Sequence, residues 1–235
     1  MTKIYCAIDT PDVARASELA KQVASAGCGI KLGLEFFTYN GPSGVMAVAK
    51  SCPDARIFLD LKLHDIPNTV AGALRSVARL GVAYVNVHAT GGAEMMRAGL
   101  DALHDESTKL GLSVPQLLAV TVLTSLDAGA LNAVGQGSAP SEQVIRLAKL
   151  TKDSGLAGIV CSGQEIELVR NAVGTDFVLM VPGIRPAGAD VGDQKRVMTP
   201  KDAMMAGATH LVIGRPITGA KDPAQAAADI LATLG

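Results

Sequence analysis

The chain has 235 residues, of which 49% are hydrophobic, and its 21 basic and 22 acidic side chains leave a formal net charge of −1 at pH 7. This balance gives no electrostatic basis for binding nucleic acid or an anionic membrane, and no apolar run approaches the ~18 residues that a membrane span needs. The length would fit one large domain or two small ones, and α/β barrels of this size are commonly single domains.

The N-terminal sequence MTKIYCAIDT passes directly into an apolar, strand-like run and lacks the hydrophobic segment of a signal peptide. The four cysteines lie far apart and form no CxxC pair, so no zinc site is indicated. Cys6 and Cys161 fall within apolar runs and are expected to be small buried residues. We therefore expect a cytoplasmic protein with reduced thiols.

Short runs of apolar or β-branched residues recur along the chain, and each is followed by a segment compatible with a helix. The runs are KIYCAID (3–9), CGIKLG (28–33), RIFLDLK (56–62), AYVNVHA (83–89), LLAVTVLT (117–124), AGIVCS (157–162), FVLMVP (177–182) and HLVIG (210–214). Their spacing, about 25 to 30 residues, is the size of a βα unit. Nearly continuous apolar strands that alternate with helices are typical of a parallel sheet covered by helices.

Eight such units predict a (β/α)8 TIM barrel, an α/β fold that forms a single domain over residues 1–235. A doubly wound open sheet is the alternative, and the lack of a GxGxxG turn after the first run disfavours it. The longest irregular segments are predicted at DAGALNAVGQGSAPS (127–141) and GIRPAGADVGDQ (183–194), after the fifth and seventh runs. Long loops in compact domains are commonly lids or binding loops.

The third run carries opposite charges inside an apolar stretch, FLDLKLHDIPNT (58–69). Side chains alternate along a strand, so Asp60 and Lys62 are expected on one face and the intervening leucines on the other. A structural ion pair is the alternative, but burying two charges costs about as much as their attraction returns. A further acid, Asp65, follows closely. Because perturbed charges cluster at active sites, this pattern favours a functional charge array.

In a barrel of this kind, reactive groups gather at the C-terminal ends of the strands. The polar residues that fall there are Asp9, Lys31, Asp60, Lys62, His88, Thr124 (at the end of the fifth run), Gly214 and Arg215. A lysine within a strand needs an acidic partner. We therefore expect Lys31 and Lys62 to pair with the aspartates of the first and third runs.

The segment VIGRPIT (212–218) indicates a phosphate site, because loops after strands seven and eight commonly bind phosphate in these barrels. Gly214 would let a backbone N–H approach a phosphate, and the planar guanidinium of Arg215 could hold two phosphate oxygens. Arg185 and Gln194, in the loop after the seventh run, could reach the same group. A surface arginine that caps the last helix is the alternative for Arg215.

The four histidines are not expected to take part in catalysis. His64 and His104 are predicted to be structural or surface residues, and His88 to pack or hydrogen-bond locally. His210 opens the last strand at its N-terminal end, away from the site. No cluster of His, Asp and Glu has metal-ligand spacing, and the GxSxG of a nucleophile elbow is absent. The sequence therefore predicts no metal site and no serine nucleophile of this type.

With these residues in view, the sequence resembles the orotidine 5′-monophosphate decarboxylase family along its whole length. The matching segments, in order, are AIDT, GIKLGLEFF, FLDLKLHDIPNTV, VNVHATGG, AVTVLTS, VPGIRP, DQKRV and VIGRPIT. DLKLHDIPNT is highly specific, and the charged positions show no departure from the family pattern. The resemblance implies decarboxylation of orotidine monophosphate to uridine monophosphate, without a cofactor, by a homodimer with shared active sites.

The resemblance also implies a role for each site residue. Lys62 would donate a proton to C6 of the pyrimidine, and Asp60 would hold Lys62 charged and aimed. Lys31 would bridge the ribose and Asp60, and Asp9 would hydrogen-bond a ribose hydroxyl. Further implied contacts are Thr124 (or its neighbour Ser125) at the pyrimidine, Arg185, Gln194, Gly214 and Arg215 at the 5′-phosphate, and Asp65, Ile66 and Thr69 reaching into the neighbouring subunit's site.

Two other functions stay open. A metal-dependent sugar-phosphate decarboxylase or epimerase can share the D-x-K-x-x-D spacing, but the first three strands offer no further acid beyond Asp9 and Asp60. A non-catalytic nucleotide-phosphate sensor would bind uridine monophosphate without turnover. It fits poorly with an intact set of two lysines and two aspartates at positions 31, 60, 62 and 65.

Overall fold

The computed structural model describes residues 2–186 and 198–235, which form a closed barrel of eight parallel strands surrounded by helices. The strands β1 to β8 are Ile4–Ile8, Gly29–Gly33, Ile57–Leu63, Tyr84–His88, Gln116–Val120, Gly158–Val160, Val178–Val181 and His210–Ile213. Each strand pairs with the next, and β8 pairs with β1, so the sheet has no free edge. The predicted (β/α)8 barrel is confirmed, and the doubly wound alternative is excluded.

Helices follow the strands on the outside of the barrel. Within the described ranges, α1 to α10 are Val13–Ser25, Leu34–Ser51, Pro67–Ala78, Gly92–Leu110, Ala128–Ala133, Pro140–Asp153, Ile166–Val173, Pro200–Met205, Arg215–Thr218 and Pro223–Ala232, and short 3₁₀ turns occupy Ala89–Gly91 and Gly163–Glu165. Their starts follow ordinary capping chemistry. Asp12 and Asp222, for example, accept backbone N–H bonds at the first turns of α1 and α10.

The strands are buried on both faces, which explains their continuous apolar sequences. Alternate residues point outward to the helices or inward to a separate core that fills the barrel. The inner core consists of Tyr5, Ala7, Phe58, Tyr84, Leu118, Val120, Val160, Met180 and Val212. His210 joins this core at the N-terminal end, where its Nε2 lies 2.9 Å from the Tyr84 hydroxyl. Aromatic packing thus fills this end of the barrel.

Two local predictions were wrong. β5 ends at Val120, so Thr124 does not end the strand and lies four residues beyond it, in a loop. The reason is that the neighbouring strand β6 has only three residues and ends at Val160. The backbone N–H and the hydroxyl group of Thr121 both donate to the Val160 carbonyl oxygen, so among the described residues β5 has no further strand partner on this side. Segment 127–141 is not wholly irregular, because Asp127 caps the short helix α5 within it.

The four cysteines are buried, free thiols: Cys6, Cys28, Cys52 and Cys161. Burial raises the pKa of each thiol above its ordinary value, which suppresses the reactive thiolate. In the part of the chain that the structure describes, no helix has the length and apolar composition to cross a membrane.

Candidate active site

Four charged side chains meet at the C-terminal end of the barrel. The Nζ atom of Lys31 lies 3.4 Å from Asp9 Oδ1 and 3.4 Å from Asp60 Oδ2. Lys62 Nζ donates to Asp60 Oδ1 at 2.6 Å. The structure therefore brings these residues together in an alternating row of acids and bases, which we call the charge array (Asp9, Lys31, Asp60 and Lys62).

A glycine makes room for this array. β2 pairs with β3 so that Gly33 stands opposite Asp60, one residue layer above Lys31. A Cβ atom added at residue 33 would lie 2.9 Å from Lys31 Nζ and 3.4 Å from Asp9 Oδ1. The ammonium of Lys31 thus occupies the space that a side chain would take. This role of Gly33 was not predicted from the sequence, where its only signal is a glycine two residues beyond a strand lysine.

Asp60 lies at the centre of the array, and its side chain is only 13% exposed. Burial alone would raise the pKa of this carboxyl group. The positive charges of Lys31 and Lys62, with hydrogen bonds from Lys62 and Asn86, outweigh burial and lower the pKa below its ordinary value. Asp60 is therefore a carboxylate at neutral pH. It balances two ammonium groups that would otherwise repel each other.

The backbone of Lys62 departs from the strand geometry that alternation predicts. Lys62 has φ = 53°, which makes it the one non-glycine with positive φ among residues 2–186 and 198–235. The pairing of β3 with β4 shifts register between Leu59 and Leu63, around this residue. A left-handed conformation costs an L-residue about 1–2 kcal/mol. Such strain persists where surrounding contacts fix it, and it is common at functional sites.

Asn86 is the contact that sequence reasoning missed. This side chain is fully buried on β4, and its Nδ2 donates to Asp60 Oδ1 at 2.7 Å. Its Oδ1 accepts from the backbone N–H of Lys62 at 2.7 Å. The signal in the sequence was an amide in the middle of the strand YVNVH, at an inward-facing position. It was overlooked because Asn86 is uncharged.

A cavity of about 200 Å³ adjoins Lys62 and Asp60. The rest of its lining is mostly apolar and consists of Lys31, Phe58, Val120, Val122, Leu123, Thr124, Val160, Cys161, Pro182 and Val212. Thr124 therefore reaches the site from its loop, although it is not at a strand end. An apolar chamber with a charge pair in one wall suits a small planar ring.

A second cavity of about 460 Å³ shares Lys31, Pro182 and Val212 with the first. The other residues that line it are Ala7, Asp9, Gly183, Arg185, Gly214 and Arg215. Two guanidinium groups, from the segments after β7 and β8, thus line one chamber, and this chemistry suits a phosphate. Of the predicted phosphate residues, Gln194 lies outside the described residues.

Asp65 is not part of the charge array within this chain. Its side chain is exposed, its Oδ1 accepts from the Ile66 backbone N–H at 2.6 Å, and it forms no ion pair with a described residue. Ile66 is 67% exposed, and Thr69 is also exposed. Three residues predicted to act in a neighbouring subunit therefore point to solvent in a single chain.

His64 and His88 pack against each other beside the array, with ring centroids 5.5 Å apart. Burial lowers the pKa of His88, and the neighbouring Lys62 and His64 side chains lower it further. His88 is therefore neutral at pH 7. Among the described residues, no group of three or more His, Cys, Asp and Glu side chains is arranged to hold a metal ion.

Comparison with known proteins gives a consistent result. Residues 2–230 match the family model described as the orotidine 5′-phosphate decarboxylase / HUMPS family. The chain is 55% identical over 232 residues to an orotidine 5′-phosphate decarboxylase of Paramagnetospirillum magneticum, covering 99% of this chain and 98% of the relative. It is 49% identical over 233 residues to the orotidine 5′-phosphate decarboxylase of Moorella thermoacetica, covering 99% of this chain and 92% of that relative. The crystal structure of orotidine 5′-phosphate decarboxylase from Lactobacillus acidophilus superposes with a TM-score of 0.87, at 35% identity and with full coverage of both chains.

Proposed function

Since this chain belongs to the orotidine 5′-phosphate decarboxylase family and is a carbon–carbon lyase of pyrimidine biosynthesis, we propose that Lys62 protonates C6 as orotidine 5′-monophosphate loses CO2. The product would be uridine 5′-monophosphate, and no cofactor would take part. The observation that supports this role is the Lys62 ammonium, 2.6 Å from the Asp60 carboxylate in the wall of the apolar cavity.

The chemical difficulty is the charge that forms at C6. Loss of CO2 leaves an electron pair in an sp2 orbital that the pyrimidine ring cannot delocalise. A fixed ammonium about 4 Å away stabilises such a charge by about 4 kcal/mol at an effective dielectric of about 20. Because the array holds Lys62 in place before substrate arrives, no reorganisation is needed at the moment of reaction.

The same ammonium then serves as the general acid. A proton from Lys62 Nζ passes to C6, the carbon lone pair becomes the new C–H bond, and Lys62 is left as a neutral amine. Asp60 keeps Lys62 charged and aimed through its short hydrogen bond. Lys31 lies between Asp9 and Asp60, where it would bridge the ribose and the Asp60 carboxylate, while Asp9 would hydrogen-bond a ribose hydroxyl.

We assign the two cavities to the two ends of the nucleotide. The pyrimidine would fill the smaller, apolar cavity, where Thr124 is its proposed polar contact. The 5′-phosphate would lie in the larger cavity between Arg185, Gly214 and Arg215. Gln194 is retained as a proposed phosphate ligand. Phosphate binding far from C6 can contribute binding energy that is realised only in the transition state.

The proposal includes a homodimer whose sites are shared. Asp65 would approach the Lys62 of the partner subunit and complete the charge array, with Ile66 and Thr69 beside it. The exposure of all three residues near the open end of the barrel supports this arrangement. A location in the cytoplasm and a single domain over residues 1–235 remain predictions.

The proposed reaction is tested by following the ultraviolet absorbance of orotidine monophosphate with purified protein in excess EDTA. We expect complete conversion to uridine monophosphate at an undiminished rate. Activity that is lost in EDTA and restored by Mg²⁺ would favour a metal-dependent relative. Tight binding of uridine monophosphate with no turnover would favour a nucleotide-phosphate sensor.

Replacing Arg215 with alanine is expected to raise KM and lower kcat, with a combined loss in kcat/KM of about 10²-fold, because phosphate binding energy is lost from the transition state. Orotidine, which lacks the phosphate, should react equally slowly with the variant and with the original enzyme. Steady-state kinetics with both substrates measures this coupling, and Arg15→Ala, at a surface ion pair, is the matched control. An equal loss with orotidine would contradict the assignment.

A further inference from the structure

We propose that Asn86 is a positioning residue, which fixes the aim of the Lys62 ammonium without contacting the substrate. This inference rests on the proposed function, because it concerns the same charge array. Asn86 lines neither of the two cavities. It acts on the reaction only through its two neighbours, Asp60 and Lys62.

The hydrogen bonds around Asn86 form a closed ring. Its Nδ2 donates to Asp60 Oδ1 and its Oδ1 accepts from the Lys62 backbone N–H, both at 2.7 Å. Lys62 Nζ donates to the same oxygen, Asp60 Oδ1, at 2.6 Å. Both ends of the lysine are thereby tied to one buried amide, directly at the backbone and through Asp60 at the ammonium.

The ring explains how Lys62 keeps its left-handed backbone. β3 and β4 lose regular pairing between Leu59 and Leu63, and the Lys62 N–H finds its acceptor in a side chain. Without Asn86 this N–H has no acceptor at that place, and an extended backbone becomes accessible to Lys62. The ammonium would then move relative to C6, and a displacement of about 1 Å can lower a rate about 10²-fold.

The amide of Asn86 satisfies both neighbours while remaining neutral. Asp60 needs a donor and the Lys62 N–H needs an acceptor, and Asn86 presents one of each. A leucine of similar volume offers neither. An aspartate keeps the acceptor but brings a second carboxylate against Asp60, and two such groups share a proton.

The first test is Asn86→Leu. We expect kcat to fall about 10- to 100-fold, equivalent to about 1.4–2.8 kcal/mol of transition-state stabilisation. The Kd for uridine monophosphate should stay within about threefold, because the phosphate cavity is untouched. Tyr84→Phe is the matched control. Tyr84 lies two residues before Asn86 on β4 and is also buried. Its replacement by phenylalanine removes the 2.9 Å hydrogen bond between the Tyr84 hydroxyl and His210 Nε2. This variant should lose thermal stability but keep kcat.

The second test is the pH profile of Asn86→Asp. The introduced side chain has nearly the shape of the original one, so this variant tests the inference even if Asn86→Leu does not fold. As the pH falls, the introduced carboxyl group gains a proton and again offers both a donor and an acceptor. The ratio of variant to original kcat should therefore rise toward low pH. For Asn86→Leu the ratio should be constant with pH.

A full kcat in Asn86→Leu, a similar loss in Tyr84→Phe, or a pH-independent ratio for Asn86→Asp would each overturn the inference. The unmodified enzyme in the same assay separates the two proposals. If it does not decarboxylate orotidine monophosphate, the proposed function fails. If it does and the Asn86 variants match it, only the positioning role fails.

Discussion

Replacing Lys62 with alanine is expected to lower kcat for decarboxylation by at least about 10⁴-fold, because two contributions disappear together. The first is the preorganised positive charge beside the carbanion at C6. The second is the proton donor itself, which water cannot replace in a cavity with mostly apolar walls. Asp60 would also lose the partner at 2.6 Å that offsets its burial.

The measurement is single-turnover decarboxylation, paired with calorimetric binding of uridine monophosphate. Product binding should persist in Lys62→Ala, because the phosphate cavity is lined by other residues. Lys3→Ala provides the matched control. Lys3 donates hydrogen bonds to the carbonyl oxygens of Leu234 and Gly235 at the C-terminus and takes no part in the charge array. The kcat of the Lys3→Ala variant should therefore be unchanged. Near-normal turnover in Lys62→Ala would refute the proposed role of this lysine.

Asp65→Ala is expected to lower kcat by about 10²- to 10³-fold, because the charge array loses the carboxylate that the partner subunit is proposed to contribute. Mixing this variant with Lys62→Ala should then restore activity. In a two-fold symmetric dimer, each mixed pair contains one intact site, so an equal mixture should recover about a quarter of the original rate. Activity is measured after the two inactive variants are unfolded together and refolded.

The control for the Asp65 experiment is another exposed aspartate. Asp54→Ala removes another exposed carboxylate, at the opposite end of β3, and should leave kcat unchanged. Recovery on mixing supports a shared site, since no single chain in the mixture holds both Lys62 and Asp65. If two inactive variants stay inactive after mixing, a cross-subunit role for Asp65 is untenable.

The barrel could be predicted from the sequence because its strands are buried on both faces. That burial gives β1, β6 and β7 continuous apolar sequences that contrast with the amphipathic helices between them. The cluster of charges could be predicted for a related reason. Lys31 and Asp60 interrupt such apolar runs near their C-terminal ends, and in a closed parallel barrel those ends converge on one rim.

The features of the site that could not be predicted from the sequence are determined by tertiary contacts. Strand alternation predicts that Asp60 and Lys62 share a face, but not that Lys62 adopts a left-handed backbone with Asn86 as its acceptor. The length of β5 depends on the short neighbour β6, so the place of Thr124 could not be read from its own run. The surroundings of Asp65 depend on the proposed second subunit.

The central claim, that a positive charge at residue 62 drives the reaction, is tested most directly by chemical rescue of Lys62→Cys. Bromoethylamine converts the introduced cysteine to an ammonium side chain of nearly the length of lysine. The four native thiols are buried, with raised pKa values, and should react far more slowly. We predict that aminoethylation restores decarboxylation, whereas a neutral methylthio group does not. Equal activity with the charged and the neutral modification would contradict the account.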